Sequence, residues 1–235
     1  MISFIVPAYN EERLLGTTLL AINAVAQALD EACEVIVVDD GSTDRSAAIA
    51  RGFGPPVRLI EAPHRGLAAA RNRGIAEAAG TWLLHLDADD LLLPDALATL
   101  ARHRDATPGC DLVSGRFECF LTPGLASDAT YRLPEAPQTG HLPGVSLVRA
   151  DLFRTHGGLD ETYPVNADLE WFIRARDQGM HIHPIDDVVM RRRIHGRNMS
   201  LLRKAEMAAA RLRIVRGALA RRTHAAATSA ATPAA

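Results

Sequence analysis

The stretch Leu83–Leu93, LLHLDADDLLL, decides how the chain is read. Three carboxylates, Asp87, Asp89 and Asp90, interrupt an otherwise apolar run. A carboxylate in apolar surroundings is costly unless its charge is compensated. Two readings meet that requirement. In the first, the run is a strand that delivers the acids at its C-terminal end. There a hard divalent cation, Mg2+ or Mn2+, takes oxygen ligands and shares them with substrate phosphates. In an extended chain Asp87 and Asp89 point the same way, so both face one ligand. In the second, the acids form a solvated loop ahead of a helix, Pro94–Arg104.

Upstream of this stretch, short apolar runs alternate with helical spacing. Ile2–Pro7 reads as a strand and Pro7-Ala8-Tyr9-Asn10 as its turn. A helix over Glu11–Leu29 follows, with Leu15, Leu19, Ile22 and Val25 on one side. Glu34–Val38 is a second strand, ending in Asp39-Asp40-Gly41-Ser42-Thr43-Asp44, where Thr43 or Asp44 caps a helix, Arg45–Arg51. Val57–Glu61 is a third strand. His64-Arg65-Gly66 turns into a helix over Leu67–Ala79, which Gly80 stops at its C-terminal cap. Thr81–Leu86 is the fourth strand. Strands alternating with helices predict an α/β fold, a mostly parallel sheet with helices on both faces. Ligands bind such sheets beyond the C-terminal strand ends, and the polar clusters fall there. Neither GxGxxG after the first strand nor GxxxxGK[ST] is present, which removes the main support for dinucleotide and P-loop sites.

The second half is less regular. Asp111–Phe120 reads as a strand and Leu121–Gln138 as loop. A short helix spans Arg149–His156 and another Asn166–Gln178. Met180–Ile185 and Val188–Arg192 read as two strands, and a basic amphipathic helix covers Ser200–Arg222. The expected organisation is a ligand-binding half over 1–110, a second half over 111–202, the basic helix over 203–224 and a disordered tail over 225–235.

Composition narrows the function classes. The net charge is −2 and aromatic residues make up 5%, which argues against nucleic acid as a partner. Three cysteines without CxxC spacing suit a reducing compartment, so a cytoplasmic location is expected. No run approaches a membrane span or a signal peptide. The arginines of the terminal helix leave three readings open: peripheral contact with anionic lipid at the inner face of the membrane, a solvated face of a helix packed on the domain, and half of a homodimer contact.

FIVPAYNEE, VIVVDDGSTD and GLAAARNRGIAEAAGTWLLHLDADD, followed by LVRADLFRTHGGLDETY, NADLEWFIRARDQG and RRRIHGRNMS, together resemble the successive motifs of family 2 glycosyltransferases with the GT-A fold. The resemblance implies a Rossmann-like sheet with a smaller acceptor-side subregion. It also implies an inverting transfer of sugar from a nucleoside-diphosphate donor (UDP-, GDP- or dTDP-linked) to an acceptor hydroxyl. Pro7, Ala8, Tyr9 and Glu11 would then line the nucleobase and ribose pocket. Asp39 would bind the base edge, and Arg65 or Arg71 would face the nucleotide. Asp87 would contact the ribose or the water shell of the metal, and Asp89 would ligate the metal. His195 would help hold the metal or the diphosphate, and Asp168 would be the general base. Arg191, Arg192 and Arg193 offer donors to phosphate, alternation lets only some of them face it, and Arg193 is assigned to the nucleotide. Glu170 is a reserve base, but it lies about 200° around the helix from Asp168, so the two do not share one role. Ala167 replaces the glutamate of the family's Glu-Asp pair, Leu159 replaces a frequent phenylalanine, and QxxRW is absent, which argues against a polymerising synthase. Two other classes compete: a nucleotidyltransferase, and a non-catalytic module of the same fold that binds glycan or nucleotide.

Overall fold

A computed structural model of the protein describes residues 1–122, 132–140 and 143–230, with side chains through 223. The elements in chain order are β1 (Ile2–Ala8), α1 (Leu15–Gln27), β2 (Cys33–Asp39), α2 (Ser46–Phe53), β3 (Val57–Glu61), α3 (Leu67–Glu77), β4 (Trp82–His85) and β5 (Leu91–Leu92). They continue with α4 (Ala96–Ala106), β6 (Leu112–Leu121), β7 (Gln138–Thr139), β8 (Ser146–Arg149), α5 (Leu152–Thr155), α6 (Ala167–Asp177), β9 (Ile182–Ile194), α7 (Met199–Leu202) and α8 (Lys204–Ala230).

One sheet runs through both halves in the order β3-β2-β1-β4-β8-β6-β9-β5, with β7 paired to β6. The first four strands are parallel, as βαβ connections require. β8 enters antiparallel to both β4 and β6, and β9 runs parallel to β6. Strands from both 1–110 and 111–202 belong to this one sheet.

Burial on both faces explains the sequence of β1 and β4. Phe4, Val6, Leu84 and Leu86 belong to the apolar cluster beneath α1 and α4. Ile5 and Leu83 belong to the opposite cluster, with α6 and α8. Each such side chain, fully withdrawn from water, contributes roughly 1.5–3 kcal/mol. Because β4 alternates, His85 follows Leu83 toward the α6 side.

Several boundaries depart from expectation for local reasons. α1 starts later than Glu11, because the Glu11 N–H donates to Ser46 Oγ at 2.8 Å and the Glu12 N–H to Asp44 Oδ2 at 3.0 Å. Those bonds tie the segment to the loop before α2 instead of to a helix. Gly80 is not a helix cap. A Cβ there would lie 2.7 Å from the Ser3 backbone nitrogen, so glycine is required for close approach to β1. Ser146–Arg149 is a strand, and helix resumes only at Leu152. The two strands expected between Met180 and Arg192 are one. Asp186 and Asp187 look like a turn but fall in a bulge, where the pairing with β6 shifts register between Ser114 and Arg116. α8 passes Arg222 and continues to Ala230, into the segment expected to be a tail, and alanine's helix propensity accounts for the extension. The remainder of that tail, 231–235, lies outside the described residues, as do 123–131 and 141–142 of the loop after β6. Among the described residues no helix is long and apolar enough to cross a membrane.

Candidate active site

The acidic loop is where the sheet's ligand edge becomes chemically specific. β4 ends at His85, so Asp87 and Asp89 do not converge by strand alternation. A turn brings them together, closed by the Asp90 N–H donating to the Asp87 carbonyl at 3.1 Å. The loop is clamped from two directions. The buried Thr18 hydroxyl of α1 lies 2.8 Å from the Ala88 carbonyl and 2.9 Å from that of Asp90. From β9, Arg193 Nε donates to the Asp89 carbonyl at 2.8 Å, and the Arg193 N–H donates to Asp90 Oδ1 at 2.9 Å.

Ligand oxygens of Asp87, Asp89 and Asp90 lie within 4.8 Å of one another. At an effective dielectric constant near 20, two full charges at that spacing repel by roughly 3 kcal/mol. Partial compensation is built in. Arg71 Nη2 is 2.5 Å from Asp87 Oδ1, and Arg71 is 3% exposed. His195 Nε2 is 2.9 Å from Asp89 Oδ2, and Asn198 Nδ2 donates to the same oxygen at 3.3 Å. The residual excess of negative charge shows in the acid strengths. Burial raises Asp90 well above the carboxylate range, with repulsion from Asp89 and Asp87 adding to it. Asp87 is also raised, first by lost hydration and then by Asp89 and Asp168, with Arg71 working against both. Glu11 is pushed up to about 7, by burial first and then by Asp89. A set of hard oxygen donors that cannot all ionise without a further positive charge fits a divalent cation.

A second group of expected site residues lies at the ends of β1 and β2. Pro7 and Ala8 are buried in β1, so their side chains pack in the sheet and only the strand end borders the cleft. Tyr9 is exposed and stacks on His64, with ring centroids 4.1 Å apart. Asp39 is 4% exposed. Its Oδ2 accepts the Ser42 N–H at 3.2 Å, and its Oδ1 is buried with no partner among the described residues. Asp40 is committed to structure, accepting the N–H groups of Arg65 and Gly66 ahead of α3. Of the two arginines left open, Arg65 pairs with Glu161 through an exposed guanidinium. Arg71 is the one that reaches the acid cluster. A second cleft, of about 280 Å3, joins Glu11 and Asn10 to His195 and Arg197.

Alternation in β9 sets Arg192 apart from Arg191 and Arg193, which both lie over the Phe120 ring. Arg191 pairs with Glu118, and Arg192 donates to Ser200 Oγ. Arg193 turns inward, is 7% exposed, and braces the loop and Thr122. Arg193 therefore holds the acid loop in place, and the exposed guanidinium near the cleft belongs to Arg197.

Asp168 sits in the first turn of α6, next to Asn166, whose φ of 61° starts the helix abruptly. Its carboxylate makes no hydrogen bond or ion pair among the described residues, and it is close enough to Asp87 to raise that group. Glu170 is buried and held by Arg174. Beside Asp168 lies a half-open, largely apolar cavity, in whose lining His85 and Trp171 take part. Asn198, Arg197 and His85 were not singled out from sequence. Their roles depend on residues more than 80 positions away, and no local spacing signals that.

Residues 3–137 match the family model described as glycosyl transferase family 2. An uncharacterized glycosyltransferase of Haemophilus influenzae is 26% identical over 185 residues, which is 74% of this chain and 61% of that protein. TarS residues 1–349 of S. aureus, solved with UDP-GlcNAc, superposes with a TM-score of 0.66 at 22% identity, over 85% of this chain and 60% of that one. The mannosyltransferase PcManGT of Pyrobaculum calidifontis, solved with GDP-Man and Mn2+, gives 0.63 at 23% identity, over 86% and 59%. The two structural likenesses establish the architecture. The chain spans about three fifths of the length of each of these proteins.

Proposed function

From the premise that the chain belongs to glycosyltransferase family 2 and has the GT-A fold, we propose that it transfers a sugar from a nucleoside-diphosphate donor to an acceptor hydroxyl, with inversion. The observation that carries this reading is the acid loop: three crowded carboxylates on a rigid turn, one braced by His195 and Asn198, opposite a base-edge aspartate with an unpaired buried oxygen.

In this reading Asp89 is the principal metal ligand, Asp87 supports it or takes the ribose, and His195 fixes the orientation of Asp89. A bound Mg2+ or Mn2+ supplies Lewis-acid stabilisation of the charge that develops on the departing diphosphate. Asp39 Oδ1 accepts a base N–H, and Tyr9, stacked on His64, offers its ring to the nucleobase. Arg197 donates to the diphosphate from the cleft it shares with Glu11 and His195. Arg71 holds the Asp87 carboxylate in one orientation. Asp168 accepts the proton of the acceptor hydroxyl as that oxygen attacks the anomeric carbon. Its lack of a competing partner supports that role, because its oxygens are free to accept from an acceptor hydroxyl, whereas those of Glu170 are occupied by Arg174. One in-line displacement inverts the anomeric centre.

A screen of UDP-, GDP- and dTDP-sugars for metal-dependent donor hydrolysis tests the reading, with proton NMR of the first-formed anomer. A β-configured product from an α-linked donor is expected. Retention, or no turnover of any donor with either metal, would count against it.

A further inference from the structure

The cavity beside Asp168 lies on the α6 side of the sheet, under the ligand edge. Leu112 and Val148 come from β6 and β8, Phe153 from α5, Leu159 from the following loop, and Trp171 from α6. Its polar atoms are mostly spoken for. Trp171 Nε1 donates to the Gly157 carbonyl at 2.8 Å, and Ser146 Oγ lies 3.3 Å from Ser114 Oγ. Two groups are not: the Asp168 carboxylate, which the proposed reaction reserves for the reacting hydroxyl, and the imidazole of His85. The His85 side chain is 5% exposed, and its Nε2 is buried without a partner among the described residues. The ring is held by a stack: His85 on Phe153 at 5.5 Å and 15°, and Phe153 on Trp171 at 4.2 Å and 16°.

An unpaired buried nitrogen is unfavourable by about 1–3 kcal/mol. Packing does not require it, since a phenylalanine would serve the stack. A water there would need two or more polar partners, and apart from Asp168 and Ser146 the side chains around the ring are apolar. A transferred sugar is a poor occupant for the same reason, because its ring hydroxyls would be left unpaired. A compact apolar group bearing one polar atom satisfies both the wall and the nitrogen.

We propose that this cavity seats an apolar part of the hydroxyl-bearing acceptor, with His85 Nε2 hydrogen-bonded to it and the reacting hydroxyl presented to Asp168. The proposal rests on the glycosyl-transfer reading and deepens it. The acceptor class is an alcohol whose carbon skeleton near the nucleophile is alkyl or aryl, not a free polysaccharide end. His85 is a specificity-determining residue at that site.

The test uses the full chain and 4-fluorobenzyl alcohol as probe, followed by fluorine NMR line broadening, with 2-fluoroethanol as the control lacking an apolar body. Saturable binding that favours the aryl probe by roughly tenfold or more is expected. His85→Phe should weaken it by roughly fivefold or more, and His85→Gln should restore it to within about twofold. Equal affinity for both alcohols overturns the proposal, as does a folded His85→Phe protein that binds the probe unchanged. If His85→Phe does not fold, displacement of the probe from the unaltered protein by benzyl alcohol but not glycerol decides. Displacement by UDP-GlcNAc or GDP-Man with Mn2+, but not by UDP or GDP, would assign the cavity to the donor sugar and end the proposal. Nucleotide binding is measured separately: its absence alongside selective probe binding would count against the transferase reading alone.

Discussion

Arg71→Met tests how the acid loop is balanced. Arg71 is 3% exposed and sets its Nη2 2.5 Å from Asp87 Oδ1, while 42% of the Asp87 side chain remains accessible. Breaking a fully buried pair destabilises by about 3–5 kcal/mol, and an exposed pair is worth about 1 kcal/mol or less. This half-buried pair falls between, so a loss of about 2 kcal/mol is expected, or a fall in Tm of roughly 4–8 °C for a chain of this size. Methionine retains most of the aliphatic stem, so the loss reports charge more than packing. Its pH dependence has a defined sign. Asp87 is already raised by lost hydration, and removing Arg71 raises it further. The penalty is therefore full where Asp87 would be ionised and shrinks as pH falls and the carboxyl takes up a proton in either protein. Urea denaturation of the metal-free protein at pH 8 and pH 4.5 measures it. Adding Asp87→Asn to Arg71→Met should recover roughly 1 kcal/mol or more, since it removes the charge left unpaired. A loss independent of pH, or no recovery in the double variant, would mean that Arg71 acts by packing and that the acids do not burden one another.

Three further outcomes follow from the site. Asp39→Asn should weaken UDP and GDP binding by roughly 10- to 100-fold in calorimetry with Mn2+ present while leaving thermal stability intact, because it alters an acceptor that has no partner among the described residues. Asp168→Asn should lower kcat by roughly 100- to 10,000-fold with donor affinity unchanged, and a comparable loss of donor binding would contradict its role as base. Glu11 has a folded-state value near 7 against an ordinary 4.5, so the folded protein holds the extra proton between those values. Stability of the metal-free protein should therefore fall as pH rises from about 4.5 to about 7, by on the order of 1 kcal/mol after solvent screening, and Glu11→Gln should flatten that slope in chemical denaturation.

The sheet's first half was legible because each of its strands is an apolar run bounded by turn chemistry and followed by a helix of clear period. β8 was not. SLVR is short, and it becomes a strand only between β4 and β6, which sequence alone does not bring together. β9 was split in two because Asp186 and Asp187 mimic a turn, whereas a bulge opposite Gly115 absorbs them. In the site, the acids announced themselves by breaking an apolar run. What holds them did not: Arg193 meets Asp89 and Asp90 across more than 100 residues. The choice between Arg65 and Arg71 did carry a local signal. Ala68, Arg71 and Gly74 recur every third residue on the buried face of α3, and a guanidinium on that stripe must find a carboxylate inside.

Calorimetric titration of UDP and GDP in the presence and absence of Mn2+, on the unaltered protein and on Asp89→Asn, tests the central claim most directly. Binding of at least one nucleotide that requires the metal and is lost in Asp89→Asn is the predicted result. Nucleotide binding of equal strength without metal, or undiminished in Asp89→Asn, would contradict a cation held by the acid loop.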